Sequence, residues 1–187
     1  LIIDNYDSFT YNIVQQFGIF KKTIEVVKNN QITIKKISQL KCSHIVLSPG
    51  PGNPSNAGVS NRIVEHYYKK IPMLGVCLGH QVIGDVFKCK VKKSTSIVHG
   101  KTSMIYHEGK SKIYKNIPLK FNATRYHSLI IDRKNIHKDI IVNAQLDDGT
   151  IMGVEHRKYP LYGVQFHPES IATEYGNKII KNFIKIV

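Results

Sequence analysis

At 187 residues, 42% hydrophobic and 21% charged, the chain has the composition of one globular domain with a full core, which excludes wholesale disorder. No apolar run approaches the roughly 20 residues needed to cross a bilayer, so no membrane association is expected. The formal charge of +14 invites a nucleic-acid reading, yet the excess is mostly lysine, with Arg62, Arg125, Arg133 and Arg157 as the only arginines. Its densest runs (Lys21-Lys22, Lys35-Lys36, Lys88 to Lys93) are short and scattered, so the lysines read as a solvated surface and no nucleic-acid partner is expected.

The opening Leu1-Ile2-Ile3-Asp4 lacks the charged start and long apolar stretch of a secretion signal, and the missing Met predicts that a residue or two precedes it. A soluble, unexported protein is expected. Leu1-Ile2-Ile3 reads as a buried strand, and Asp7 or Ser8 is placed to cap a helix carrying Phe9, Ile13, Phe17 and Phe20 at helical spacing. Strands are predicted at Thr23 to Val27 and His44 to Leu47, the latter running into the turn-rich Ser48-Pro49-Gly50-Pro51-Gly52-Asn53-Pro54. A helix over about Gly58 to Lys70 follows, with Val59, Ile63 and Tyr67 on one face. Met73 to Val76 is a fourth strand, and Leu78 to Phe87 another helix.

After residue 90 the segments become short and turn-bounded: Thr102–Tyr106, Leu129–Ile131, Ile140–Ala144, Met152–Glu155 and Leu161–Phe166. They predict additional, partly antiparallel strands on the same sheet, before a last amphipathic helix with Ile179, Ile180, Phe183 and Ile184. The expected fold is therefore α/β, one domain over residues 1–187, with a mainly parallel central sheet flanked by helices.

Cys42, Cys77 and Cys89 are odd in number and widely spaced, which argues against a disulfide framework or a zinc site. The nine histidines lack paired metal spacing, so no metal or other cofactor is expected. Of the three cysteines, Cys77 stands apart. Gly75-Val76-Cys77-Leu78-Gly79 at a strand-to-helix junction is the thiol form of the nucleophile elbow. A sharp turn there lifts the side chain above the sheet. The helix N-terminus favours negative charge on the sulfur and places the Leu78 N–H where an oxyanion would form. Alone, such a cysteine is equally well read as a buried structural thiol.

A thiol nucleophile needs a base, and the base an orienting acceptor. Gly163-Val164-Gln165-Phe166-His167-Pro168-Glu169, at the end of another predicted strand, supplies both: His167 to take the Cys77 proton and Glu169 to hold the opposite ring nitrogen. The Pro49-Gly50-Pro51-Gly52 loop is rigid, and its glycines can turn backbone N–H groups inward as a second oxyanion donor.

Together these motifs resemble the class I (triad) glutamine amidotransferases over essentially the whole chain. The carrying stretches are Asp4 to Asn12, Ser48 to Pro54, Gly75 to Gln81, Arg125-Tyr126-His127-Ser128-Leu129 and Gly163 to Ser170. Within the class, the opening stretch and Tyr-His-Ser-Leu resemble the small subunits of the anthranilate and aminodeoxychorismate synthases.

The resemblance implies a flavodoxin-like fold, a Cys77–His167–Glu169 triad, and an oxyanion held by Gly50 and Leu78. It also implies a glutamine pocket made by Gly50, Pro51, Gly52, Gln81 and the Ser128-Leu129 backbone. It leaves His99-Gly100-Lys101 without a chemical role. By the same resemblance, the reaction is glutamine hydrolysis, with ammonia passed to a large partner subunit that aminates chorismate to anthranilate in the tryptophan branch; the alternative is the aminodeoxychorismate (folate) branch, or one subunit serving both. The rival readings are a free-standing Cys-His-Glu hydrolase and a non-catalytic nucleic-acid-binding domain. A composition rich in Ile, Lys and Asn and poor in Ala is that of an AT-rich genome, which points to a plastid stroma or, alternatively, a bacterial cytoplasm.

Overall fold

The computed structural model describes residues 1–20 and 23–187, with Thr95 and Ser96 described through their backbone only. The Lys21-Lys22 run therefore lies outside the described residues. The strands are β1 (Ile2–Asp4), β2 (Val26–Lys28), β3 (Ile45–Leu47), β4 (Met73–Val76), β5 (Val91–His107), β6 (Lys120–Ile131), β7 (Ile140–Gln145), β8 (Ile151–His156) and β9 (Leu161–Val164). The helices are α1 (Thr10–Gly18), α2 (Ile34–Leu40), α3 (Ser60–Tyr67), α4 (Leu78–Val86) and α5 (Gly176–Ile184). All strands join one sheet in the order β2-β1-β3-β4-β9-β8-β7-β5-β6. The first five run parallel, and pairing from β9 onward through β8, β7, β5 and β6 is antiparallel. The expected α/β architecture, parallel in its centre with antiparallel additions, is the one observed.

The parallel half is buried on both faces, which is why its strands read as unbroken apolar runs. Alternate residues serve opposite layers. Ile2, Val46, Leu74, Val76 and Val164 pack with Ile13 and Phe17 of α1 and Ile179, Ile180 and Phe183 of α5. Ile3, Ile45, Leu47, Met73 and Leu161 pack on the other face with Ile37 of α2, Ile63, Val64 and Tyr67 of α3, and Val82 and Ile83 of α4. Each fully buried side chain of this kind contributes about 1.5–3 kcal/mol relative to exposure.

Several boundaries differ from expectation. Strand β2 begins at Val26, not Thr23, and α3 occupies Ser60–Tyr67 only. Helix α1 ends at Gly18, so Phe20 lies beyond it, and its N-cap is Phe9 with no side-chain cap. Asp7 acts one step earlier, its Oδ1 accepting from the Phe9 N–H at 2.8 Å. Helix α2 has no counterpart among the elements the sequence predicts. It is seven residues long, buries only Ile37 fully and is set by Thr33, whose Oγ1 accepts from the Lys36 N–H, so it shows little apolar periodicity. Strands β5 and β6 run 17 and 12 residues, far beyond Thr102–Tyr106 and Leu129–Ile131. They form the sheet's outer end: exposed Lys92, Lys93, His99 and Lys101 interrupt the apolar pattern of β5, whereas β6 turns Phe121, Ala123, Ile130 and Ile131 into the core. The end of α4 also differs: Phe87 is its C-cap.

Strands β4 and β9 are parallel neighbours, with Val76 beside Val164 at their C-terminal ends. Whatever follows each strand therefore emerges at one edge. Cys77 follows β4; Gln165 through Glu169 follow β9. Among the described residues, no helix is long and apolar enough to cross a membrane.

Candidate active site

Cys77 sits at φ 52°, ψ −100°, a backbone conformation outside the ordinary regions for an L residue. Such strain costs about 1–3 kcal/mol and persists only when the surroundings over-determine it. Here they do. The Cys77 N–H donates to the Val164 carbonyl at 2.8 Å, and its own carbonyl accepts from Gln81 N–H at 3.1 Å, starting α4. The flanking glycines permit the turn. A Cβ on Gly75 would stand 2.4 Å from the Gly79 carbonyl, and one on Gly79 would stand 2.5 Å from the Leu47 carbonyl oxygen.

The stretch after β9 brings up the imidazole. His167 N–H donates to the Thr124 carbonyl at 2.9 Å, and Thr173 Oγ1 donates to the His167 carbonyl at 2.6 Å, pinning the turn to β6. His167 Nδ1 meets Glu169 Oε1 at 2.6 Å, and both side chains are buried, at 2% and 0% exposure. His167 Nε2 has no partner in hydrogen-bond geometry among the described residues, and the Cys77 sulfur acts on the charge of the ring. Burial by itself pulls the imidazole pKa down. The Cys77 sulfur and the Glu169 carboxylate, both placed to accept from the protonated ring, outweigh it and raise the pKa to about 10. Two neighbouring histidines go the other way. Burial drives His80 down to about 3. Burial and the Arg125 charge hold His127 at about 4; its Nε2 faces Arg125 Nη1 at 3.5 Å, and a guanidinium can only donate. Of the three, only His167 is poised to carry a proton.

A cavity of about 190 Å³ opens beside the sulfur, lined by Gly50, Pro51, Gly52, Cys77, Leu78, Gln81, Tyr126, His127, Ser128 and Leu129. One water needs only about 10–15 Å³ on this measure, so the space suits a molecule of amino-acid size. Every residue expected to hold glutamine or its oxyanion lines this one cavity. His167 and Glu169 are not part of its lining; the His167 ring packs edge-on to that of Tyr126, a lining residue, at 5.0 Å between centroids.

The arrangement can perform acyl transfer: a buried sulfur beside an imidazole, the imidazole on a carboxylate, and a polar pocket in front. The sequence profile of the family described as glutamine amidotransferase class-I matches residues 1–187. The chain belongs to this family.

Among class-I glutamine amidotransferases and related proteins, the chain is 50% identical over 188 residues to the bifunctional protein TrpGD of Thermotoga maritima. That match covers all of this chain but only 32% of the longer protein. It is 46% identical over 185 residues to anthranilate synthase component 2 of Cyanophora paradoxa, covering 98% of this chain and 97% of the relative. The crystal structure of a putative GMP synthase component from Thermoplasma acidophilum superposes with a TM-score of 0.86 at 24% identity, covering 98% of this chain and 90% of the other, which shows the shared fold.

Other amidotransferase features here carry no expected role in the sequence. His99-Gly100-Lys101 is a β-bulge: the β5–β6 register shifts between His99 and Lys101, with Gly100 at φ 68°. The bulge sets the His99 ring edge-on to Tyr126 at 5.2 Å. Phe9, just before α1, packs on both Tyr126 at 5.0 Å and His167 at 5.7 Å, so the segment between β1 and α1 reaches the imidazole. Gln165 is fully buried and its Nε2 lies 3.5 Å from the Cys77 sulfur. A local motif cannot reveal such contacts, because each depends on which strands are neighbours.

Proposed function

We propose that this chain is the glutamine-hydrolysing subunit of anthranilate synthase, with Cys77 as nucleophile, His167 as proton carrier and Glu169 as the group that orients it. The carrying observation is His167 held by Glu169 at 2.6 Å beside the sulfur of a strained elbow cysteine. The Cys77 thiolate attacks the side-chain carbonyl carbon of glutamine, forming a C–S bond and an oxyanion that the Gly50 and Leu78 N–H groups receive. Protonated His167 gives its proton to the amide nitrogen; the C–N bond breaks and ammonia leaves. A water then adds to the thioester carbonyl and passes its proton to His167, the C–S bond breaks, and glutamate departs with the sulfur restored as thiolate.

Gly50, Pro51, Gly52, Gln81 and the Ser128-Leu129 backbone hold the substrate, in line with the cavity they share. The ammonia serves a large chorismate-aminating partner in tryptophan synthesis, as the name of the Cyanophora relative supports. The compartment is a plastid stroma or a bacterial cytoplasm, on the strength of the Ile-, Lys- and Asn-rich composition.

The test is to assemble Cys77→Ala with its natural large partner, then supply glutamine or ammonia. Loss of glutamine-dependent synthesis with ammonia-dependent synthesis retained is expected. Glutamine-dependent synthesis at the wild-type rate would remove Cys77 from the mechanism. If the product is aminodeoxychorismate, the chain serves the folate branch, alone or in addition.

A further inference from the structure

We propose that Gln165 prepares the nucleophile, its side-chain N–H donating to the Cys77 sulfur while its carbonyl oxygen fixes the orientation of Gln81. The proposal rests on the reading of Cys77 as nucleophile and adds a group to it.

The direction of each hydrogen bond follows from one fixed point. The Leu129 carbonyl can only accept, so the Gln81 atom 3.1 Å from it must be its NH2. The same Gln81 nitrogen lies 3.1 Å from the far end of Gln165, so Gln165 must present its oxygen there. The Gln165 NH2 then has one direction left, toward the Cys77 sulfur at 3.5 Å. The chain Leu129–Gln81–Gln165–Cys77 is thus polar in one sense from end to end. Gln165 is completely buried and Gln81 is 3% exposed, so the bond between the two amides is shielded from solvent.

The consequences differ at the two ends. At Cys77, a neutral thiol has an acceptor available, the Tyr126 carbonyl 3.8 Å away. A thiolate gains nothing from that carbonyl but accepts from the Gln165 amide, so Gln165 favours the ionised, nucleophilic form. At Gln81, both amide hydrogens are committed to Leu129 and Gln165. Its oxygen is the atom left for a ligand in the cavity, so Gln81 meets glutamine as an acceptor of substrate N–H groups. Gln165 lies two residues before His167, so one short segment delivers both the thiolate donor and the base.

Two substitutions separate the roles. Gln165→Met removes donor and acceptor at nearly constant volume; Gln165→Glu keeps an acceptor for Gln81 and removes the amide donor. The readout is the pH profile of Cys77 alkylation by iodoacetamide on the isolated chain, with thermal unfolding as the folding check. Both variants should react about tenfold more slowly at neutral pH, with the profile displaced upward by about one pH unit. With the large subunit present, Gln165→Met should raise KM for glutamine, whereas Gln165→Glu should lower kcat with KM within about twofold of wild type. A folded Gln165→Glu or Gln165→Met chain with the wild-type alkylation profile overturns the proposal. Failure of the underlying reading looks different: alkylating wild-type Cys77 would then leave glutamine hydrolysis intact, whatever the Gln165 variants do.

Discussion

Asn5 is laced to Ser48. Its backbone N–H donates to Ser48 Oγ at 2.8 Å and its side-chain NH2 donates to the Ser48 carbonyl at 2.8 Å. The residue that follows β1 thereby holds the residue that follows β3, immediately before the Pro49–Gly52 loop. Asn5 Oδ1 in turn accepts from Asn29 Nδ2 at 3.0 Å and from Ser60 Oγ at 2.9 Å. Gly50 is trapped against this post: a Cβ there would stand 2.6 Å from the Asn5 carbonyl oxygen and 2.7 Å from Leu78 Cδ2. The two proposed oxyanion donors, Gly50 and Leu78, are therefore held in mutual contact by a post that Asn5 anchors.

Asn5→Leu should lower stability by about 3 kcal/mol, because the Ser48 carbonyl, Asn29 and Ser60 lose a buried partner together. Urea unfolding measures this. Glutamine-dependent turnover should fall further than Cys77 alkylation, since the substitution loosens the loop and leaves the elbow in place. Equal loss in both assays would mean that Asn5 supports the whole site rather than the loop.

Gly50→Ala tests the same contact from the other side. The added methyl has no room, and its nearest neighbour is backbone rather than a flexible side chain. The loop must move by about an ångström, which at a reacting centre costs on the order of 100-fold in kcat. Alkylation of Cys77 should stay near wild type, because iodoacetamide needs no oxyanion hole. A variant with unchanged glutamine turnover would exclude Gly50 from the oxyanion role.

The parts of the molecule legible in the sequence are those whose cause is local. Apolar runs such as Met73–Val76 and turn residues such as Gly75 and Gly79 announce a strand and an elbow, because both faces of the strand are buried and the glycines are needed within four residues. The His167–Glu169 pair is likewise two residues apart. What stayed hidden depends on neighbours distant along the chain. Exposed Lys92, Lys93, His99 and Lys101 break the apolar pattern of β5, and both β5 and β6 reach their full length through pairing with each other across two register shifts. Gln165 meets Cys77 across 88 positions, and Asn5 meets Ser48 across 43. Phe9 reads as a helix-face residue, yet it packs over His167.

Gly79→Ala examines how tightly the elbow is seated. The methyl would lie 2.5 Å from the Leu47 carbonyl oxygen and 2.8 Å from Leu47 Cβ, both in the fully buried β3. Helix α4 has to lift from the sheet, and a loss of about 3 kcal/mol or more is expected from overpacking against backbone. Thermal unfolding would register it as a lower Tm. A Tm equal to wild type would mean that α4 sits farther from β3 than these distances place it.

Glu169→Gln tests the electrostatics of the imidazole, with a sign that can be worked out. Burial lowers the His167 pKa; the Cys77 sulfur and Glu169 more than reverse this and raise it to about 10, above its ordinary 6.5. A raised folded-state pKa contributes stability that is fully present below about 6.5 and disappears as pH climbs through about 10. Removing the carboxylate removes one of the raising causes while the 2%-exposed ring stays buried. The stability difference between wild type and Glu169→Gln should therefore be largest near pH 6, shrink through pH 8 and nearly vanish above pH 10, as read by urea unfolding at each pH. Proton transfer to the leaving nitrogen should weaken in parallel, so the alkaline limb of glutamine hydrolysis should move to lower pH. A stability difference that is flat from pH 6 to 10 would show that Glu169 acts on His167 as a geometric stop and not through charge.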